Sequence, residues 1–325
     1  MNRRLLAVPV ALAATSLLAT GCSAAGSSGD SGSDGVTVLA SFYPLQYAAQ
    51  QVGGDLVTVD NLTPPAAEPH DLELAPAQAR EIGEADLVVY LSGMQPAVDE
   101  GVETRAPEHV VDAAAFADLT PAEEDGHAED EHTEDEHADD EHAEDEHDHG
   151  ATDPHFWLDP SRMAALGQAV ADELSVVDPE HADEYAAGAL QLGRQMEELD
   201  QEFADGLATC EGATLVTSHA AFGYLAERYS LHQEALSSFD PETEPSPARL
   251  REVGDIVRET GVTTIYSETL VSPKVAETLA DDLGVETATL DPLEGLSEEA
   301  LAAGNDYVSV MRDNLAALEQ GLVCE

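Results

Sequence analysis

The sequence predicts an α/β protein of two lobes, each with a parallel-type sheet flanked by helices, joined by one long rigid helix. Three observations predict it. Short β-branched runs alternate with helical stretches on both sides of the chain's middle, the pattern of parallel sheets covered on both faces. Between the two halves, Tyr185, Ala189, Leu192, Met196, Leu199, Phe203 and Leu207 keep steps of three and four, which puts one apolar stripe on a single helix. At 325 residues the chain is long enough for two cores of ordinary size.

Val36 to Phe42 alternates and is β-branched, as a first strand should be, and Tyr43 to Gln51 follows as a helix. Leu56 to Leu62 reads as a second strand, stopped by Thr63-Pro64-Pro65. Pro76 can occupy the first turn of a helix running to about Gly83; Ala85 to Leu91 reads as a buried strand and His109 to Asp112 as a short fourth. Asp159 caps a helix with Pro160 in its first turn and Met163, Leu166, Val170 and Leu174 on one face. Asp178 and Pro179 open the long linking helix in the same way; over 179–208 it would be roughly 45 Å long. In the second lobe Ala213 to Thr217, Thr263 to Ser267 and Glu286 to Leu290 read as strands. Pro247 to Thr260, Pro273 to Leu283 and Ser297 to Gly321 read as helices.

The expected organisation is a signal peptide over 1–21, a flexible tether over 22–35, an N-terminal lobe over 36–178, the linking helix over 179–208 and a C-terminal lobe over 209–325. Arg3 and Arg4 precede an apolar stretch from Leu5 to Ala19 that is short for a membrane span, which needs about 20 apolar residues. Leu18-Ala19-Thr20-Gly21-Cys22 resembles a lipobox, the site where bacterial lipoproteins are cut and the cysteine acylated. With Cys22 carrying lipid, Cys210 and Cys324 remain as an even pair in an oxidising compartment and are expected to form a disulfide. The formal net charge of -55 repels nucleic acid and anionic lipid headgroups, and cations are the natural small partners.

Residues 123–149 interrupt the lobe pattern. Acidic groups are separated by His127, His132, His137, His142 and His147, with His149 close behind, and almost nothing apolar is available to bury. A step of five turns about 140° around a helix, so the imidazoles would not share a face. Dense like charge predicts a disordered insertion, and the regular histidines predict a loose metal collector.

Outside the insertion, His70, His155 and His219 each follow a strand or a turn and open toward a helix, where open α/β sheets place ligand sites. They come from both halves of the chain, so a site built from all three lies between the lobes. His109, His181 and His232 lack supporting motifs and are expected to be surface or packing residues.

Four segments together resemble the substrate-binding proteins of zinc and manganese ABC transporters: Glu-Pro-His-Asp-Leu-Glu-Leu-Ala-Pro around His70, Asp-Pro-His-Phe-Trp-Leu-Asp-Pro around His155, Thr-Ser-His-Ala-Ala-Phe-Gly-Tyr around His219, and Thr-Leu-Asp-Pro-Leu at Asp291. The acidic, histidine-rich insertion just before His155 is typical of the zinc members. The resemblance implies one metal in the interlobe cleft held by His70, His155 and His219, with a carboxylate or water in the fourth position. Asp291 fits that position through its motif; Glu68 and Glu268 are the other candidates, Glu268 more as a support than as a ligand.

Three imidazoles and a carboxylate favour tetrahedral Zn²⁺, whereas manganese prefers more oxygen ligands and higher coordination. The expected function is extracytoplasmic zinc capture and delivery to an ABC permease by a monomer tethered to the outer face of the cytoplasmic membrane. Three alternatives are a manganese-binding member of the same family, a surface zinc buffer or adhesin, and a secreted zinc hydrolase. No enzyme activity is expected: the sequence has no HExxH, no second metal cluster and no nucleophile arrangement.

Overall fold

Strand and helix do alternate, and the alternation builds two sheets of the same design. The computed structural model describes residues 35–117, 119–120 and 152–324. The expected signal peptide, the tether as far as Asp34, Cys22, and His127, His132, His137, His142, His147 and His149 lie outside the described residues.

In chain order the first lobe contains β1 (Val36–Ala40), α1 (Tyr43–Gly53), β2 (Val57–Asn61), α2 (Gln78–Glu81), β3 (Leu87–Tyr90), α3 (Pro96–Arg105) and β4 (Val110–Asp112). Then come α4 (Pro160–Val177) and α5 (Ala182–Gly206). The second lobe follows with β5 (Thr214–Thr217), α6 (Gly223–Arg228), β6 (His232–Ala235), α7 (Pro247–Thr260), β7 (Thr264–Ser267), α8 (Lys274–Leu283), β8 (Glu286–Thr289), α9 (Glu298–Ala303) and α10 (Tyr307–Gly321). The sheet orders are β2-β1-β3-β4 and β6-β5-β7-β8, with every pairing parallel. Both central strands, β1 and β5, therefore deliver their C-terminal ends to the same kind of crevice.

The strand period of two explains how each sheet is covered. Val36, Val38 and Ala40 of β1 face one large core, and Leu39 faces a smaller outer cluster with Ile82, Val88 and Val98. β5 does the same, with Leu215 in the large core and Val216 in an outer cluster with Val253, Val257 and Ile265. The large core is continuous through both lobes. It takes in Leu45 and Val52 from α1, Met163 and Leu166 from α4, Leu192 and Phe203 from α5, Leu225 from α6 and Met311 from α10. Each fully buried side chain of this size contributes about 1.5–3 kcal/mol, so the lobes share apolar burial that a large relative motion would have to give up.

The apolar stripe of the linking helix is buried, as its spacing requires: Tyr185, Leu192, Met196, Leu199 and Phe203 are inaccessible or nearly so. A 3-10 turn at Pro179–His181 precedes α5, which with 25 residues is about 37 Å long, shorter than the 179–208 span expected. Gly188 lets α5 lie against α1, because a Cβ there would come within 2.3 Å of the Val52 carbonyl oxygen. Cys210 and Cys324 are joined, with Cα atoms 4.3 Å apart, and tie the chain beyond α10 to the end of α5.

Three elements differ from the sequence reading. β6 is an edge strand of sequence His-Gln-Glu-Ala whose polar, half-exposed residues carry no apolar alternation. α3 starts at Pro96 and has few buried residues, so its pattern is weak. The closing helix is two helices, because Gly304 takes a left-handed conformation (φ 80°) at the end of α9 and Asp306 opens α10 with a reciprocal capping box.

Candidate metal centre

Four loop segments, three of them following strands and one leading into a 3-10 turn, converge on one point between the lobes, and each arriving side chain is held by its own local device. His70 lies in the loop after β2. Gln95, buried at the start of α3, donates its amide to the Pro69 carbonyl and to the Thr63 hydroxyl, each at 3.1 Å, and Thr63 donates in turn to the Ser41 carbonyl at the end of β1. The His70 backbone N–H donates to the Glu68 carboxylate at 3.0 Å.

His155 precedes a 3-10 turn, Phe156–Leu158. Asp153 Oδ1 accepts from both the backbone N–H (2.9 Å) and Nδ1 (2.8 Å) of His155, which leaves Nε2 free to face the cleft. His219 follows β5 and shows the same arrangement: its Nδ1 lies 2.6 Å from Glu268 Oε1 at the end of β7, and Ser218 Oγ donates to the same oxygen. Carboxylates on the distal nitrogens fix the tautomer and ring orientation, as they do for metal-binding histidines in general.

The fourth group is Glu294, in the loop after β8. Trp157 Nε1 donates to the Pro292 carbonyl at 2.7 Å, and the Tyr307 hydroxyl donates to the Trp157 carbonyl at 2.5 Å. The indole thereby ties the His155 segment of one lobe to the Glu294 segment of the other.

The Nε2 atoms of His70, His155 and His219 stand 3.1, 3.0 and 3.3 Å from Glu294 Oε1, and Nε2 of His155 and His219 are 3.4 Å apart. All four ligand atoms lie within 4.8 Å of one another. A tetrahedral zinc site with bonds of about 2.0–2.1 Å requires ligand atoms roughly 3.3 Å apart. Four of the six separations are close to that value before any ion is introduced. His155, His219 and Glu294 are almost wholly inaccessible, and His70 on the open side is 11% exposed.

Burial favours neutral groups here, but mutual pairing wins. For Glu294, burial pushes the carboxyl up, and hydrogen bonds from His155, His219 and His70 outweigh it and hold it well below the usual range. Burial pushes His219 down, yet Glu268 and Glu294 raise it to about 10; His155 is raised by Asp153 and Glu294 against the same penalty. Burial lifts Glu68 to about 7, partly offset by His70.

Of the carboxylates named from sequence, none supplies the fourth ligand atom of this group. Asp291 is drawn away because its carboxylate is committed to other donors: Leu293 N–H on Oδ1 and Thr269 Oγ1 on Oδ2, each at 2.8 Å. Glu268 faces the far nitrogen of His219, and Glu68 Oε1 is 3.9 Å from His70 Nε2 at the rim. Glu294, which the sequence patterns do not single out, joins the cluster where Leu293, a non-glycine residue at φ 59°, turns the chain three places after Asp291. Its one visible signal is an acidic side chain between Leu293 and Gly295 in a segment otherwise apolar. His109 pairs with Glu173, His181 with Asp178, and His232 sits on the edge strand, all apart from the cluster.

Comparison with known proteins turns this geometry into an assignment. Residues 38–321 match the family described as "Zinc-uptake complex component A periplasmic". The chain belongs to this family. Among relatives, the high-affinity zinc uptake system protein ZnuA of Bacillus subtilis is 35% identical over 317 residues, 96% of each chain. The zinc-binding lipoprotein AdcA of Streptococcus pneumoniae is 35% identical over 285 residues, and here the chain spans 88% of itself but only 55% of the relative. Among solved structures, Zn(II)-bound AdcA from Streptococcus pneumoniae superimposes with a TM-score of 0.72 at 32% identity, covering 88% of this chain and 57% of that one. The laminin binding protein Lmb of Streptococcus agalactiae, described as bifunctional with adhesin and metal transporting activity, gives a TM-score of 0.72 at 32% identity over 88% of this chain and 99% of that one. Membership in the zinc-uptake component A family agrees with the two-sheet architecture and with a metal-compatible cluster between the two sheets.

Proposed function

We propose that this chain captures Zn²⁺ outside the cytoplasmic membrane and delivers it to an ABC permease, with His70, His155, His219 and Glu294 as the four ligands. One observation carries the reading: three imidazole nitrogens and one carboxylate oxygen, drawn from both lobes, stand within 4.8 Å of one another in a nearly sealed cleft. Three nitrogens and one oxygen in a compact set suit tetrahedral zinc better than manganese, which asks for more oxygen ligands. Four protein ligands leave no position for a reactive water, which favours carriage of the ion over hydrolysis.

Zinc is the cargo in this reading, so the site must also let it go. His70 and Glu68 occupy the more exposed side of the cluster and form the natural exit. Acylation at Cys22 would hold the protein, as a monomer, beside its permease, and the 123–149 insertion would raise the local cation concentration. No helix among the described residues is long and apolar enough to cross a membrane.

The test is competitive titration of the full chain with zinc and manganese against a chromophoric chelator, beside His155→Ala. One tight zinc site, preferred over manganese and weakened by the substitution, is expected. Tight binding that survives His155→Ala would move the site to the insertion and make the protein a surface zinc buffer.

A further inference from the structure

We propose that Asn314 and Asp291 form a positioning unit that places Glu294 in the metal centre, an inference that rests on Glu294 being a ligand. β8 ends at Thr289, and the sheet ladder ends with it apart from Leu290 N–H, which donates to the Ser267 carbonyl at 2.9 Å. Beyond that point the buried side chain of Asn314, on α10, takes the place of a strand partner. Its Oδ1 accepts from the Asp291 N–H at 2.8 Å, and its Nδ2 donates to the Asp291 carbonyl at 2.7 Å.

With its backbone fixed at both polar groups, Asp291 uses its side chain in two directions. Oδ1 accepts from Leu293 N–H and stabilises the left-handed turn at Leu293, a conformation unfavourable for a non-glycine residue. Oδ2 accepts from the hydroxyl of Thr269, the neighbour of Glu268 that holds His219. One carboxylate thus sets the Glu294 turn in register with the support of His219.

Asn314→Leu keeps the branched shape of the side chain, in a somewhat larger volume, and removes both clamps. It leaves the Asp291 N–H and carbonyl unpaired, frees the Leu293 turn to relax, and lets Glu294 withdraw. The expected loss is about 10–100-fold in zinc affinity, the usual effect of removing a supporting contact at a metal site.

A double-mutant cycle in the full chain separates positioning from general structural damage. Zinc affinity is measured by chelator competition for the parent, Asn314→Leu, Glu294→Gln and the double variant. Each single substitution is expected to weaken zinc, and the double variant to be no weaker than Glu294→Gln. Equal losses from Asn314→Leu in both backgrounds, or no loss in either, would overturn the inference while the ligand role of Glu294 stands. Unchanged affinity in Glu294→Gln would sink the ligand reading and this inference with it. Thr269→Val, which removes the hydroxyl that donates to Asp291 Oδ2, runs the same cycle if Asn314→Leu does not fold: a smaller loss confined to the Glu294 background supports positioning, and an equal loss in both refutes it.

Discussion

Lowering pH should weaken zinc binding over a window that starts well above the ordinary histidine range. Without metal, three imidazoles share one oxygen of Glu294, and His219 is raised to about 10 because Glu268 and Glu294 outweigh the burial that pushes it down. Near pH 7.5 that ring holds a proton which zinc must expel, and the distance to its pKa corresponds to a penalty of order 3 kcal/mol. His155 is raised by the same kind of pairing and adds a second proton on the acid side. Each displaced proton makes affinity change about tenfold per pH unit, so zinc should tighten about tenfold per unit as pH rises through the neutral range, and more steeply where His155 also gives up a proton. The assay is the apparent Kd from pH 5.5 to 9, joined to calorimetry in two buffers of different ionisation heat, which counts released protons directly. A flat affinity from pH 5 to 8, with no proton released, would refute the imidazole cluster as the binding site.

The same proton has an opposite consequence for folding. A raised His219 stabilises the metal-free protein fully below its unfolded pKa of about 6.5, and that contribution is lost as pH climbs through about 10. Melting temperatures of the metal-free protein should therefore fall from pH 7 to pH 10 while the zinc-loaded protein stays nearly level; parallel curves would contradict this. Cys210→Ser with Cys324→Ser should lower stability by about 2–5 kcal/mol, since the bond closes a chain separation of 114 residues, and denaturant unfolding with and without reductant would measure it. Deleting 123–149 should leave the affinity of the tight site within about threefold and slow zinc encounter at low salt, an effect that shrinks with screening. Stopped-flow binding at two ionic strengths checks it, and a large loss of tight binding would make the insertion a ligand source.

Most of the scaffold was legible because its signals are periodic. β1 alternates between two cores, α5 carries an unbroken stripe, and α7 runs from Pro247 to Thr260 as its proline start and Gly261 stop predict. The parts that were not legible depend on tertiary pairing. β6 pairs with β5 through backbone groups that any sequence possesses, and its polar side chains give no pattern. The three histidines could be found because each stands at a strand end or a turn between lobes, and the disulfide because only two cysteines remained to pair. Asp291 looked like the fourth ligand for the same positional reason. That Glu294 rather than Asp291 stands beside the three histidines goes with the left-handed turn at Leu293, which leaves no local signature.

The central claim is the ligand set, and the most direct measurement is a diffraction study of the zinc-loaded protein using the anomalous signal at the zinc edge. The expected result is one strong peak between the lobes, about 2.0–2.1 Å from Nε2 of His70, His155 and His219 and about 2.0–2.2 Å from a Glu294 oxygen. A peak bound by Asp291 in place of Glu294, or no peak in the cleft, would contradict it.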